Sequence, residues 1–381
     1  MRLLLRGRVV TPLEELEQGW VLVRGDRVAE IGTGPAPSAD RVRGGPGHVV
    51  APGLIDLQVN GCGGHDAAEG AESMAAMARH LPASGVTGFL ATVITAPIDD
   101  LVASCEASRR VPDEGARLLG VHVEGPFLSR AKRGAHDPAL LQDPTPEAVS
   151  RLARARPRLL TLAPELPGAE EAVATLLAAG VRVSVGHTSA DHAQALRGFA
   201  SGIGFATHLF NAMNPIHHRE PGMAGAVLTE PGVTAGLIAD GVHVHPAMLR
   251  LAIGLKGPDR IALTTDSVAA AGSPPGRYRI GDRDVISDGV TVRLADGDTL
   301  AGGASTLDQQ IRIVCSFPGV GLRRAVQMAS LSSARAIGEE ELGRIAPGGP
   351  ADLVLLDPAL EVSLTLRAGE SIYEREGVAV G

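Results

Sequence analysis

The chain has 381 residues, too many for one small core and suited to a large domain with a smaller companion. Its composition, 44% hydrophobic and 20% charged, excludes a disordered chain, and the formal net charge of −8 argues against a general nucleic-acid or polyanion binder. Three widely spaced cysteines, Cys62, Cys105 and Cys315, exclude a disulfide framework, no apolar run reaches membrane-spanning length, and no signal-peptide pattern follows Met1, so a soluble cytoplasmic protein is expected.

Residues 3–10 and 19–31 alternate like β-strands, with Gly25-Asp26 as a turn inside the second stretch. Residues 351–356 and 362–366 repeat the pattern near the other end. Both ends are therefore β-rich while the middle is not. The economical arrangement is one small β-sandwich, built from residues 1–50 and 343–381, flanking a central domain over 51–342.

The centre alternates strand and helix patterns, which implies parallel βα units. Strand one spans 54–60 and precedes a helix near 71–83. Strand two covers 88–95 and strand three 118–124. Strand four, 159–163, leads to a helix over 170–179. Strand five ends at His187, with a helix from about 190 to 200, and strand six ends near His208. Strand seven, 234–240, precedes a helix over 246–255, and strand eight ends at Asp266. Residues 276–303 read as a β-hairpin insertion, and helices near 305–316 and 322–336 complete the set. Eight such strands predict an α/β fold, a (β/α)8 TIM-type barrel.

In such a barrel the strand C-termini converge on one face, where active sites sit. Four predicted strands end there in chemically active residues: Glu124, His187, His208 and Asp266. His187 and His208 are 21 residues apart, about one βα unit, which places them on adjacent strand ends. One carboxylate and two imidazoles with a vacant fourth position make a catalytic rather than a structural zinc site. A metal there lowers the pKa of a water to about 7 and polarises a carbonyl oxygen. Asp266 could take that water's proton and pass it to a leaving group. One buried histidine alone is more often a hydrogen-bonded core residue, but four convergent strand ends reverse that expectation.

Strand one constrains the number of metals. Many metal hydrolases of this architecture carry His-x-His there, and a related group bridges two metals with a carboxylated lysine after strand four. Here strand one reads Gln58-Val-Asn60, and the chain's two lysines, Lys132 and Lys256, lie elsewhere. Amides are poor zinc ligands, so one divalent metal per subunit is expected, Zn2+ first, with Fe2+ or Mn2+ able to take the same ligands. His122, two residues before Glu124, faces the barrel interior one layer below it, as a partner of the site or a polar core residue. Cys62, just after strand one, could line the pocket or be an ordinary buried thiol. Basic residues at 130–133 and 217–219 could meet a small anion or be solvated loop charge.

Pro52-Gly-Leu-Ile-Asp56 and Gly343-Arg-Ile-Ala-Pro-Gly-Gly-Pro-Ala-Asp-Leu-Val354 resemble the amidohydrolase superfamily. Within it, His122-Val-Glu-Gly-Pro-Phe-Leu128, Lys132-Arg-Gly-Ala-His136, Gly186-His-Thr188, Thr207-His-Leu-Phe-Asn-Ala-Met213, Arg219-Glu-Pro-Gly222, Asp240-Gly-Val-His243 and Thr265-Asp266 resemble the amino-sugar-phosphate deacetylase family, nearly end to end. The resemblance implies that Glu124, His187 and His208 bind the metal and that Asp266 is the acid/base. It places His136 near the acetamido group, polarising the carbonyl or orienting the sugar, and Ala135 among the substrate-binding residues. It places Asn211 and the backbone of Ala212 on the phosphate, and His243 at the sugar or phosphate end. Arg219 would pair with the phosphate through its planar fork. Leu300, Ala301 and Gly302 occupy the family's substrate-contact loop, departing from its commoner Leu-Ser-Gly. A homodimer is implied, in which Arg219 could serve a neighbouring subunit's site. The implied reaction converts N-acetylglucosamine 6-phosphate to glucosamine 6-phosphate and acetate, in amino-sugar catabolism or cell-wall recycling. The same chemistry on N-acetylgalactosamine 6-phosphate, a non-catalytic sugar-phosphate sensor, and a cyclic-amide hydrolase are the alternatives.

Overall fold

In a computed structural model, which describes residues 2–376, the alternation at both termini becomes one seven-stranded mixed sheet. The strand Arg41–Pro52 joins its halves: it runs parallel to Arg2–Val10 on one side and antiparallel to Leu353–Leu356 on the other. Glu15–Arg24 and Arg27–Thr33 extend one edge, Val362–Arg367 and Glu370–Glu374 the other. Alternate residues, Leu3 and Leu5, Val21 and Val23, Leu353 and Leu355, Leu364 and Leu366, share one buried cluster, as period-two patterning requires. Leu4, Trp20 and Leu22 form a separate cluster from the intervening positions.

Eight parallel strands lie between the two halves of that sheet and neighbour one another in chain order. They are Leu54–Val59, Val86–Ile94, Arg117–Glu124, Leu159–Leu162, Arg182–Val185, Phe205–Ala206, Thr234–Leu237 and Ile261–Leu263. Leu54–Val59 and Val86–Ile94 are buried on both faces, because helices cover the outside and side chains fill the inside. The first and last strands share no continuous ladder. A single bridge, Val59 with Ser267, joins them. Below it the buried Asp56 carboxylate accepts from Thr264 Oγ1 at 2.8 Å, Thr265 Oγ1 at 2.6 Å and Thr265 N at 3.2 Å. A side-chain clasp therefore stands where a ladder would close the barrel.

The expected helices appear as Ala71–His80, Ala169–Ala178, His192–Ala200, Pro246–Lys256 and Leu307–Cys315. Ile98–Ser108, Pro146–Ala155 and Gly222–Thr229 are additional. Gly222–Thr229 is buried along almost its whole length, so it carries no amphipathic period to read. Pro146–Ala155 does carry a start signal: the Thr145 side chain accepts from Ala148 N, and Pro146 opens the helix. The stretch expected as one helix over 322–336 is two, Gly321–Met328 and Leu331–Ala336, broken at Ser330. The expected hairpin over 276–303 is a four-stranded antiparallel sheet. Its Ile280, Val285, Val292 and Ala301 pack against Ile94 and Val268 at the barrel rim. That contact brings the insertion over the site.

Candidate metal and substrate site

Glu124 is the last residue of its strand, but His187, His208 and Asp266 lie beyond theirs, which end at Val185, Ala206 and Leu263. The three have left-handed backbones, with φ of 50°, 30° and 48°. That conformation breaks the pleat and is sparsely populated by non-glycine residues, so the fold holds strain where the chemistry sits. Gly134 (φ +55°) lets the neighbouring loop pass over His187, since a Cβ there would sit 3.1 Å from His187 Cε1.

His187 Nε2 and His208 Nε2 are 3.0 Å apart, and they stand 3.4 Å and 3.0 Å from Glu124 Oε1. Ligand atoms of a tetrahedral zinc, bonded at about 2.0–2.1 Å, lie about 3.3 Å from one another. His187 Nδ1 donates to the Lys132 carbonyl at 2.8 Å, which leaves a lone pair on Nε2. Two imidazole nitrogens and a carboxylate oxygen thus converge as a divalent cation requires. Glu124, His136 and His187 also offer atoms within 4.8 Å of one another. His136 stands beside the first group, its Nε2 4.0 Å from Glu124 Oε2 and its ring 4.4 Å from that of His187.

Burial pushes the Glu124 carboxyl up, but the His187 and His208 imidazoles that face it outweigh this and hold the group well below the usual range. For His208, burial works downward, and the bond and charge of Glu124 prevail and raise it. His136 is pushed down to about 3 by burial and by His187, so it is neutral. Burial, then the charge of Glu124, pushes Asp266 up to about 7.

Strand one does more than its missing ligands suggest. Gln58 Nε2 donates to Glu124 Oε1 at 3.1 Å, and Asn60 Nδ2 donates to Asp266 Oδ1 at 2.8 Å. Sequence reading gives these amides only a negative role as poor ligands. The period of two, which puts residues 58 and 60 on the same face as the site, is the signal that finds them. Below them His122 joins a polar layer: its Nε2 meets Thr161 Oγ1 at 2.7 Å, which meets Thr207 Oγ1 at 2.7 Å, which meets Ser184 Oγ at 2.7 Å. His122 is therefore a bonded core residue beneath the site.

A cavity of about 390 Å³ opens above Glu124, His187, His208 and Asp266. The loop Ala131, Lys132, Gly134, Ala135 and His136 forms one wall, and Asn211, Ala212, Met213 and His243 form another. The insertion supplies Ile280, Thr299, Leu300, Ala301 and Gly302. His243 is held by Asp240, whose Oδ2 accepts from its Nδ1 at 2.7 Å. Phe210 and Ala212 are left-handed at φ 78° and 51°, so the segment after His208 turns sharply into the cavity wall. Arg219 is not in this wall. It is exposed, and its Nη1 lies 2.9 Å from His218 Nε2 in its own loop. Cys62 does not line the cavity either: it borders a separate one with Asp56 and His80, and burial pushes its thiol up to about 12.

The sequence matches the amidohydrolase family over residues 49–372. It is 38% identical over 357 residues to the N-acetylglucosamine-6-phosphate deacetylase of Bos taurus, covering 89% of this chain and 87% of that protein. It is 37% identical over 335 residues to the N-acetylgalactosamine-6-phosphate deacetylase of Shewanella sp. (strain ANA-3), covering 87% of this chain and 84% of that protein. The fold superposes with a TM-score of 0.92, at 38% identity, on an Asp-to-Ala mutant of the N-acetyl-D-glucosamine-6-phosphate deacetylase of Mycobacterium smegmatis in complex with N-acetyl-D-glucosamine-6-phosphate. That match covers 98% of this chain and 99% of the other.

Proposed function

The chain belongs to the amidohydrolase family, and from that premise we propose that it hydrolyses the acetamide of N-acetylglucosamine 6-phosphate, releasing glucosamine 6-phosphate and acetate. The observation that carries the reading is the convergence of Glu124, His187, His208 and Asp266 on one cavity, in a fold superposable on a relative bound to that sugar phosphate.

Glu124, His187 and His208 would hold one divalent metal, zinc first by ligand type. Such an ion, when bound, supplies an acidified water and a polarised carbonyl. Asp266 takes the proton of the attacking water as its oxygen bonds to the acetamido carbon. His136, neutral, donates a hydrogen bond to the carbonyl oxygen as negative charge develops there. Asp266 then gives its proton to the sugar nitrogen as the C–N bond breaks, releasing amine and acetic acid, and the acid's remaining proton passes to the amine, so the products are ammonium and acetate.

Asn211, the Ala212 backbone and His243 would meet the phosphate end, and Leu300, Ala301 and Gly302 the sugar. Arg219, exposed on its loop, would complete the phosphate site of a neighbouring subunit in a homodimer. The 37% identical relative named for the galactosamine epimer supports a second substrate, differing at one sugar carbon.

Acetate release by the zinc-loaded protein, measured on both epimers, tests the reading. Turnover that collapses in Asp266→Asn with the metal retained supports it. A metal-loaded wild type inactive on both sugars would overturn it in favour of a non-catalytic sugar-phosphate binder.

A further inference from the structure

His136 has two faces. Nε2 faces the cavity and Glu124. Nδ1 faces Thr95, the residue just past the second barrel strand. Both hydrogen-bond donors of Thr95 meet that one nitrogen: its backbone N at 3.2 Å and its hydroxyl at 2.8 Å. A backbone N–H only donates, so Nδ1 must accept, and the imidazole proton must be on Nε2. The opposite tautomer would set two N–H groups against each other at a position that is 5% exposed, and it would leave the Thr95 amide unpaired. Among the described residues, Nδ1 is the partner that this amide has. The hydroxyl is itself fixed. It lies 3.4 Å from the Glu124 carbonyl, and a Cβ on Gly125 would collide with it, so the glycine keeps its place open.

We propose that Thr95 is a positioning residue for the hydrolysis, locking His136 in the tautomer that presents an N–H to the substrate carbonyl. The inference rests on the deacetylase reading for its consequence and on hydrogen-bond geometry for its cause. It also decides between the two trios that could hold a metal. An Nε2 that carries a proton has no lone pair, so His136 is excluded as a ligand and His208 takes that place.

The test uses the zinc-loaded, 15N-histidine-labelled protein, with the His136 signals assigned by their loss in His136→Gln. In the wild type, Nε2 of His136 carries the proton and Nδ1 does not. Thr95→Ala keeps the backbone N–H, and with it the tautomer, but removes the hydroxyl bond that holds the ring in place, so Nε2 stays protonated while the Nδ1 resonance shifts. Its kcat falls about tenfold with KM changed less than threefold and zinc still at one per chain, and Thr95→Ser restores kcat within about twofold. A protonated Nδ1, or Nε2 bonded to zinc, in the wild type overturns the proposal. So does Thr95→Ala with unchanged kcat, or Thr95→Ser as impaired as Thr95→Ala. If the wild type turns over neither epimer, the deacetylase reading fails by itself, and the nitrogen spectrum still decides whether Thr95 sets the tautomer.

Discussion

Replacing Asn60 by alanine should move the acid limb of the pH–rate profile rather than lower the plateau. Asn60 is 2% exposed, and its Nδ2 donates to Asp266 Oδ1 at 2.8 Å. A hydrogen bond to a charged group is worth about 1.5–3 kcal/mol, and a proton on Asp266 removes most of that value. Asn60 therefore favours the ionised carboxylate, opposing the burial and the Glu124 charge that push Asp266 up to about 7. At 1.36 kcal/mol per unit, losing the bond raises the Asp266 pKa by about 1–2 units. A base must be ionised to take a proton, so activity falls as pH drops through its pKa. The limb in kcat/KM should accordingly shift upward by about 1–2 units in Asn60→Ala, with the two enzymes converging at high pH. A bound metal lowers both limbs together and leaves their separation intact. The assay is acetate release on zinc-loaded protein across the pH range, with metal content measured in parallel. Coincident limbs, or a loss uniform across pH with one metal still bound, would refute the assignment of Asn60 to the charge state of Asp266.

Glu124→Gln should bind well under one metal per chain, because an amide replaces the oxygen on which both histidines converge, and elemental analysis of dialysed protein reads this directly. Chelation should abolish wild-type activity, and divalent metal should restore it. Asp66 is 5% exposed and accepts from Ala68 N and Gly281 N, and burial raises its carboxyl from 3.8 to about 6. Between these values the unfolded chain has lost the proton and the folded chain keeps it, so stability falls as pH rises, by up to about 3 kcal/mol. Urea midpoints from pH 4 to 7 should show that decline relative to Asp66→Asn; parallel curves would refute it. Phe89→Ala, at a 0% exposed barrel position, should lose about 3–5 kcal/mol in urea unfolding, and a loss under 1 kcal/mol would contradict the packing.

Much of the barrel is legible because its signals are local. Apolar runs separated by amphipathic stretches mark the strands, and chemically active residues mark their ends. The strand ends themselves are displaced, since nothing in a linear pattern announces that His187, His208 and Asp266 adopt left-handed backbones. Helix Gly222–Thr229 escapes because it is buried nearly throughout. The residues that prepare the site are hidden for another reason. Asp240 is three positions from His243 and within local reach, whereas Asn60 and Asp266 are 206 residues apart and Thr95 and His136 are 41 apart. Their contacts exist only once the strands they follow stand side by side, so spacing cannot reveal them.

The strand Arg41–Pro52 has a timing consequence. Its partner Leu353–Leu356 lies about 300 residues later, which a ribosome working at about 5–20 residues per second takes roughly 15–60 s to make. Throughout that interval Val49, Val50 and Ala51 emerge beside an unfilled strand edge, the kind of apolar edge that recruits stray chains. The N-terminal half-sheet is thus a passenger of translation, waiting for the last segment of its own chain, and factors that slow synthesis lengthen its exposure in direct proportion.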